Sequence, residues 1–215
     1  MEIVVVEAPT LGEGWLRGSR AILERGELAA YDGQTTREVS LLTLTVARPD
    51  SQDPVIAELG DAGWLDWMHH NFFSTDVVPE LGNAESYATR LFDYGGSGRD
   101  QIAWVIERLR DDPECRSATI TTLQPLTDTS YIPCVSLLDF WLRGGELELV
   151  VYAHSLDFGK KAYGNLVELT HLAEHVAGEL AAPVGRLVVH AKSAHVYEPE
   201  WPAMADLTGL ETPVP

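Results

Sequence analysis

The segment between Val135 and Ala191 constrains the fold most. Two strand-like runs, Val135–Leu142 and Glu146–Ala153, flank Arg143-Gly144-Gly145, the signature of a hairpin. A long amphipathic stretch, Leu166–Leu180, follows and is closed by Ala181-Ala182-Pro183, and Arg186–Ala191 reads as a further strand. Upstream, Val4–Val6 is expected to be a short buried strand, residues 14–30 a helix, and Glu38–Val46 a strand after an Asp32-Gly33 turn. Residues 48–54 read as a loop, and residues 55–73 as a helix broken near Gly60–Gly63. Residues 82–98 read as an irregular exposed connection, Asp100–Arg110 as a helix and Ser117–Leu123 as a strand. Helices and strands mix without strict βαβ alternation. The expected fold class is therefore α/β (α+β), a mixed β-sheet with helices packed against it.

Composition narrows the classes of function. At 215 residues the chain is expected to form one domain over 1–215, and its formal charge of −18 argues against a polynucleotide partner. A small phosphorylated ligand needs only a few local cations and stays open. No apolar stretch approaches the length of a membrane span, and the opening residues lack a basic segment and a cleavage site, so no membrane association is expected. With only two cysteines, Cys115 and Cys134, a reducing cytoplasm is the expected compartment.

Cys134 follows Pro133 at the entrance of a strand. Alone it reads more readily as a small core residue than as a nucleophile. It belongs, however, to an ordered set: Ile132-Pro133-Cys134, Asp139-Phe140, Gly144-Gly145-x-Leu147, Tyr152-x-x-Ser155-x-Asp157, Asn165 and His195-Val196-Tyr197. Asp100-Gln101-Ile102, Asp112-Pro113-x-x-Arg116, Trp64-x-x-Trp67 and Tyr87 precede or interleave with it. In order and spacing this set resembles thymidylate synthase, best over residues 87–197. The resemblance implies that family's fold, with one sheet face forming a homodimer interface. It also implies one-carbon transfer to C5 of a uracil-type nucleotide or nucleoside, giving a 5-methyl or 5-hydroxymethyl product, with methylene-tetrahydrofolate as co-substrate and no metal.

The chemistry explains why such residues are needed. C5 of a pyrimidine is a poor nucleophile until a thiolate adds to C6 and turns the ring into an enolate. Donors must then stabilise O4, an amide must read N3 and O4, and a base must take the C5 proton. The resemblance makes Cys134 the nucleophile and Asn165 the reader of the uracil edge. Asp157 would orient the ring and the pterin, Tyr87 would be the active-site tyrosine and Glu58 the proton-relay glutamate. Ser155, His154 and Arg116 would lie on the phosphate side, His195 and Tyr197 would hold the sugar hydroxyl, Asp139 would be a substrate-binding position, and Trp64 and Trp67 would face the folate.

The residues also have plainer readings. Asn165 could cap a helix, Asp157 a turn, His195 and Tyr197 could face solvent, and Trp64, Trp67 and Met68 could be core. His171 and His175, with Glu174 nearby, have metal-compatible spacing but no evident third ligand, which favours a solvated helix face. The chain also departs from the family. Of four phosphate-gripping arginines only Arg116 is retained, with Gly33 (Arg37 nearby), Ser117 and His154 at the other positions. Val135 replaces the histidine after the cysteine, Asp139 replaces a glutamine, and Glu198–Pro215 stands where the segment that closes over folate would be. These losses predict a thiolate that is harder to form and weak discrimination between a nucleoside and its monophosphate, improving only when His154 becomes a cation. Alternatives to folate-dependent transfer are cysteine addition to another acceptor and a non-catalytic binding or dimerisation module.

Overall fold

The computed structural model describes residues 3–31, 33–129 and 131–213. Among these, eight strands form one mixed sheet: β1 (Val4–Ala8), β2 (Glu27–Tyr31), β3 (Gln34–Val46), β4 (Ala118–Thr121), β5 (Val135–Arg143), β6 (Glu146–Ala153), β7 (Leu156–Asp157) and β8 (Val184–Tyr197). The order is β1-β3-β8-β6-β5-β4, with β2 on β3 and β7 on β8. The β1–β3, β6–β8 and β7–β8 pairs are parallel and the others antiparallel. A parallel β6–β8 pair cannot be closed by a turn, which is why α6 (Ala162–Glu179) must cross between them.

Helices α1 (Leu11–Arg25), α5 (Gln101–Asp111) and α6 pack on one face, above a core that includes Leu44, Leu149, Val151, Leu166 and Val189. Helices α2 (Pro54–Leu59), α3 (Ala62–Phe73), α4 (Tyr87–Phe92) and α7 (Trp201–Thr208) complete the set. The opposite face carries exposed apolar side chains, among them Val5, Leu137 and Tyr152. Among the described residues, no helix is long and apolar enough to cross a membrane.

Local chemistry accounts for the boundaries. Thr10, Asp53, Asp61, Ser86 and Asp100 cap α1 to α5 through their side chains. Asp53 is itself buried and also accepts from the Gly12 N–H at 3.0 Å, so one carboxylate ties α2 to α1. A Cβ on Gly12 would stand 2.4 Å from that of Val55, which requires glycine there. The Trp15 indole N–H donates to the Phe158 carbonyl at 2.8 Å, fastening α1 to the β7 segment.

Several sequence expectations need correction. The predicted 14–30 helix ends at Arg25, because the Gly26 N–H closes onto Ile22 and residues 27–31 pair with β3 instead. Asp32 lies outside the described residues, whereas Gly33 adopts φ +75°. The 82–98 connection is not simply exposed loop, since α4 buries Tyr87, Ala88, Arg90 and Leu91. Asn165 lies inside α6 rather than capping it, and β8 runs six residues beyond Ala191 to Tyr197. After β8, the chain forms α7 at Trp201–Thr208, packed on α1 with Trp201 buried.

The loop leading to Cys134 is held by a buried ion pair. The Arg90 guanidinium, 3% exposed, meets Asp128 through two hydrogen bonds of 2.7 and 3.0 Å and donates to the Thr122 carbonyl at 2.8 Å. Removing one partner leaves the other charge buried and uncompensated. Arg90→Ala should therefore lose about 3–5 kcal/mol of stability, read as a lower denaturant midpoint.

Candidate active site

A cavity of about 660 Å³ opens where the ends of β3, β7 and β8 meet α3, α4, α6 and the residues before β5. Cys134, Tyr87, Asp157, Asn165, Ser155, His154, His195, Tyr197 and Trp67 line it, so nine of the sequence-derived site residues converge. They come from six different elements or their flanks.

Cys134 is half-buried, and its backbone is fixed from two sides. The Tyr87 hydroxyl accepts from the Val135 N–H at 2.9 Å, and the His154 N–H donates to the Cys134 carbonyl at 3.0 Å. Tyr87 is positioned in turn by its own N–H to Asn71 Oδ1 at 2.9 Å and by stacking on Phe72. The hydroxyls of Tyr131 and Ser155 stand on the thiol's side of the cavity and favour its ionised form. Burial pushes the Cys134 thiol above its ordinary range; Lys161 and these two hydroxyls oppose the shift, and Asp157 adds to it.

Asp157 pairs with His195 across the β7–β8 register, and its carboxylate accepts from the Gly159 N–H at 3.1 Å. Burial, reinforced by Glu200, raises its pKa to about 6 against the pull of Lys161. The buried Asn165 amide stands in the first turn of α6 and donates to the Met68 sulfur at 3.4 Å. A thioether is a weak acceptor, so the amide keeps most of its capacity for a ligand. The buried His195 packs edge-on against Tyr197 with centroids 5.0 Å apart. Desolvation holds it below the ordinary imidazole range, which favours the neutral ring.

Four expected residues stand elsewhere. Glu58 is exposed on α2 and does not line the cavity, whose carboxylates are Glu38 and Asp157. Arg116 is exposed in the turn before β4. The register shift between Val135 and Leu137 sends Leu137, Asp139 and Trp141 to the outer sheet face, where Thr119 donates to Asp139 at 2.8 Å. Trp64 lines an adjoining groove of about 450 Å³ rather than the cavity itself, and Trp67 and Lys161 line both. The two tryptophans are half-buried and edge-to-face at 5.6 Å, so they form a wall rather than core; Met68, by contrast, is core.

Lys161, Lys192, Tyr131 and Asn71 also line the cavity, although the motifs do not single them out. The one available signal was that Lys161 stands four residues before Asn165, one helical turn away. Lys192 lies opposite Leu41, whose φ of +62° is costly for a branched side chain, and the β3–β8 pairing skips both. His154 is pushed below the ordinary imidazole range by desolvation and then by Lys192. Its expected change to a cation is therefore displaced to lower pH.

The fold and cavity thus define an α/β protein with a cysteine at the entrance of a strand and an amide, a carboxyl group and an imidazole around it. The thymidylate synthase family model matches residues 44–211. A protein of Methanosarcina acetivorans named "Putative thymidylate synthase" is 31% identical over 204 residues, covering 92% of this chain and 91% of the relative. One of the same name from Methanothermobacter marburgensis is 31% identical over 211 residues, covering 90% and 92%. A third, from Methanopyrus kandleri, is 30% identical over 204 residues, covering 93% and 95%. The chain belongs to the thymidylate synthase family.

Asp157 gives a direct test of the cavity's electrostatics. Its folded-state pKa lies above the ordinary 3.8, so the folded state takes up the proton more readily than the unfolded chain. Its contribution to stability is most favourable below about pH 4 and is lost as pH rises through about 6. Asp157→Asn should therefore be more stable than the parent by on the order of 2 kcal/mol at about pH 7.5. The gain should vanish by about pH 4, as followed by denaturant unfolding at the two pH values.

Proposed function

We propose that the protein transfers a one-carbon unit to C5 of a uracil-type nucleotide or nucleoside through a covalent bond between Cys134 and C6. The observation that carries this reading is the convergence of Cys134, Asn165, Asp157, Ser155, His195 and Tyr197 on one cavity. Each has a role that the chemistry requires. The Cys134 thiolate adds to C6, and the electron pair displaced from the C5–C6 double bond moves to the C4 carbonyl as an enolate. Asn165 donates to O4 and accepts from N3–H, which selects uracil over cytosine. C5 then bonds to the electrophilic carbon and loses its proton to a base as that carbon's bond to its carrier nitrogen breaks. Hydride from the reduced folate, or water, would add to the exocyclic methylene, and the sulfur leaves as thiolate when the C5–C6 double bond re-forms, giving a 5-methyl or 5-hydroxymethyl product. His195 and Tyr197 hold the sugar hydroxyl, and Ser155 faces the phosphate.

Methylene-tetrahydrofolate would supply the one-carbon unit at the formaldehyde oxidation level. The groove beside the cavity suits such a flat aromatic donor, because Trp64 and Trp67 offer rings and Lys161 links the groove to Cys134.

The cysteine experiment is release of the C5 hydrogen from labelled uridine, deoxyuridine, cytidine and their 5′-monophosphates, with and without the folate. Cys134→Ser should lower release on the order of a thousandfold or more. Uracil substrates should be preferred to cytosine. Lys192 is a point charge rather than a two-pronged arginine, so preference for a monophosphate at pH 8 should stay below about a hundredfold. Folate-independent release on uracil would favour cysteine addition to another acceptor. Release unchanged in Cys134→Ser would overturn the covalent reading.

A homodimer through the outer sheet face belongs to the same proposal. That face exposes Val5, Leu137 and Tyr152, and Arg116 stands outside its own chain's cavity, available to a partner's. Sedimentation should give a dimer at micromolar concentration, and Leu137→Asp with Tyr152→Asp should give a monomer. A monomeric parent would remove the dimer while leaving the cysteine chemistry to its own test.

A further inference from the structure

Away from the cavity, three metal-ligating side chains meet between α3 and α6. Glu168 projects from the middle of α6 with its side chain only 2% exposed, and its Oε2 is 3.1 Å from His69 Nδ1 and 3.0 Å from His171 Nδ1. The three ligand atoms all lie within 4.8 Å of one another. Packing sets the ring orientations, since Phe73 lies 5.0 Å from the His69 ring and 6.1 Å from that of His171. The spacing in the sequence pointed to His171 with His175. The fold instead leaves His175 exposed and engages Glu174 with the Ser51 N–H and hydroxyl, at 3.0 and 2.7 Å.

The geometry points to a binding site for a divalent first-row transition ion, of which zinc is the type, held by His69, Glu168 and His171 as a clip between α3 and α6. Two imidazoles and one carboxylate form an established zinc donor set, whereas a single carboxylate is too little oxygen for calcium or magnesium. Ligand bonds of about 2.0–2.2 Å at tetrahedral angles separate donor atoms by roughly 3.3–3.6 Å. The contacts of 3.0 and 3.1 Å need to open by only a few tenths of an ångström. Both imidazoles aim the same ring atom at the same oxygen, and an ion there would take the place of the hydrogen now shared in each contact. For a neutral ring, binding moves that proton to Nε2. His69 is 57% exposed, so solvent can supply the remaining ligand. The location gives the clip a consequence. His69 follows Met68 on α3, and Glu168 stands three residues after Asn165 on α6, so the ion would fasten the two helices beside the Asn165–Met68 contact of the cavity wall.

The test is titration of the chelator-treated full chain with Zn²⁺, and with Co²⁺ as a spectroscopic probe. One ion should bind per chain with Kd at or below about 10 µM, unaffected by millimolar Mg²⁺ or Ca²⁺. His69→Ala, His171→Ala and Glu168→Gln should each weaken binding at least about tenfold, whereas His175→Ala should not. Zn²⁺ should raise the melting temperature of the parent and not that of His171→Ala. The two histidine variants alter partly exposed side chains, so they report even if Glu168→Gln does not fold. Absence of saturable Zn²⁺ binding below about 100 µM, or equal binding by the parent and His171→Ala, would overturn the assignment.

Discussion

The site depends on the hydrogen-bond ladders along β8. This strand pairs antiparallel with β3 on one edge and parallel with β6 and then β7 on the other. Register alone therefore brings His195 beside Asp157 and Glu38, and Tyr197 beside Thr36. A slip of one residue would turn His195 and Tyr197 to the opposite face and bury their neighbours in the wrong layer. The same pairing forces the long crossover through α6, whose first turn then delivers Asn165 and Lys161 to the cavity. Backbone pairing thus fixes the side of the cavity that would read the base and sugar. Tyr87 and the Arg90–Asp128 pair fix the side that carries the thiol.

A common electrostatic cause runs through the cavity. Burial is the leading reason that the Cys134 thiol and the Asp157 carboxyl are shifted up and that His154 and His195 are shifted down. Every one of these shifts favours the neutral form. In a chain with a formal charge of −18, these four groups are thus held toward neutrality in a cavity that Glu38, Lys161 and Lys192 also line. Forming a thiolate there costs more than in water. Lys161 opposes the rise of both the Cys134 and the Asp157 pKa.

Much of this was legible in the sequence where the signal was local or ordered. The hairpin around Gly144-Gly145, the break at Gly60–Gly63 and the 100–110 helix follow from turn chemistry and apolar spacing, and the structure contains all three. Nine residues that line the cavity were named from an order and spacing that no single motif carries. Strand β2 was missed because Glu27-Leu28-Ala29-Ala30 favours helix locally, while pairing with β3 offers its backbone a better set of hydrogen bonds. Strand β7, of two residues, has no periodicity to detect.

The sequence by itself determined which chemical groups are present and the mixed α/β class, because residue type and short-range periodicity are properties of the chain. Tertiary structure decided which of those groups meet. One irregularity at the start of β5 sends Asp139 to the outer face, and a break in pairing at Leu41 accompanies the entry of Lys192 into the cavity. Helix α2 leaves Glu58 in solvent, while packing of α3 on α6 joins His69 to Glu168 across 99 positions. The direction of a side chain depends on register and helix phase accumulated along the chain and fixed by distant partners. Spacing in the sequence constrains that direction only within one element.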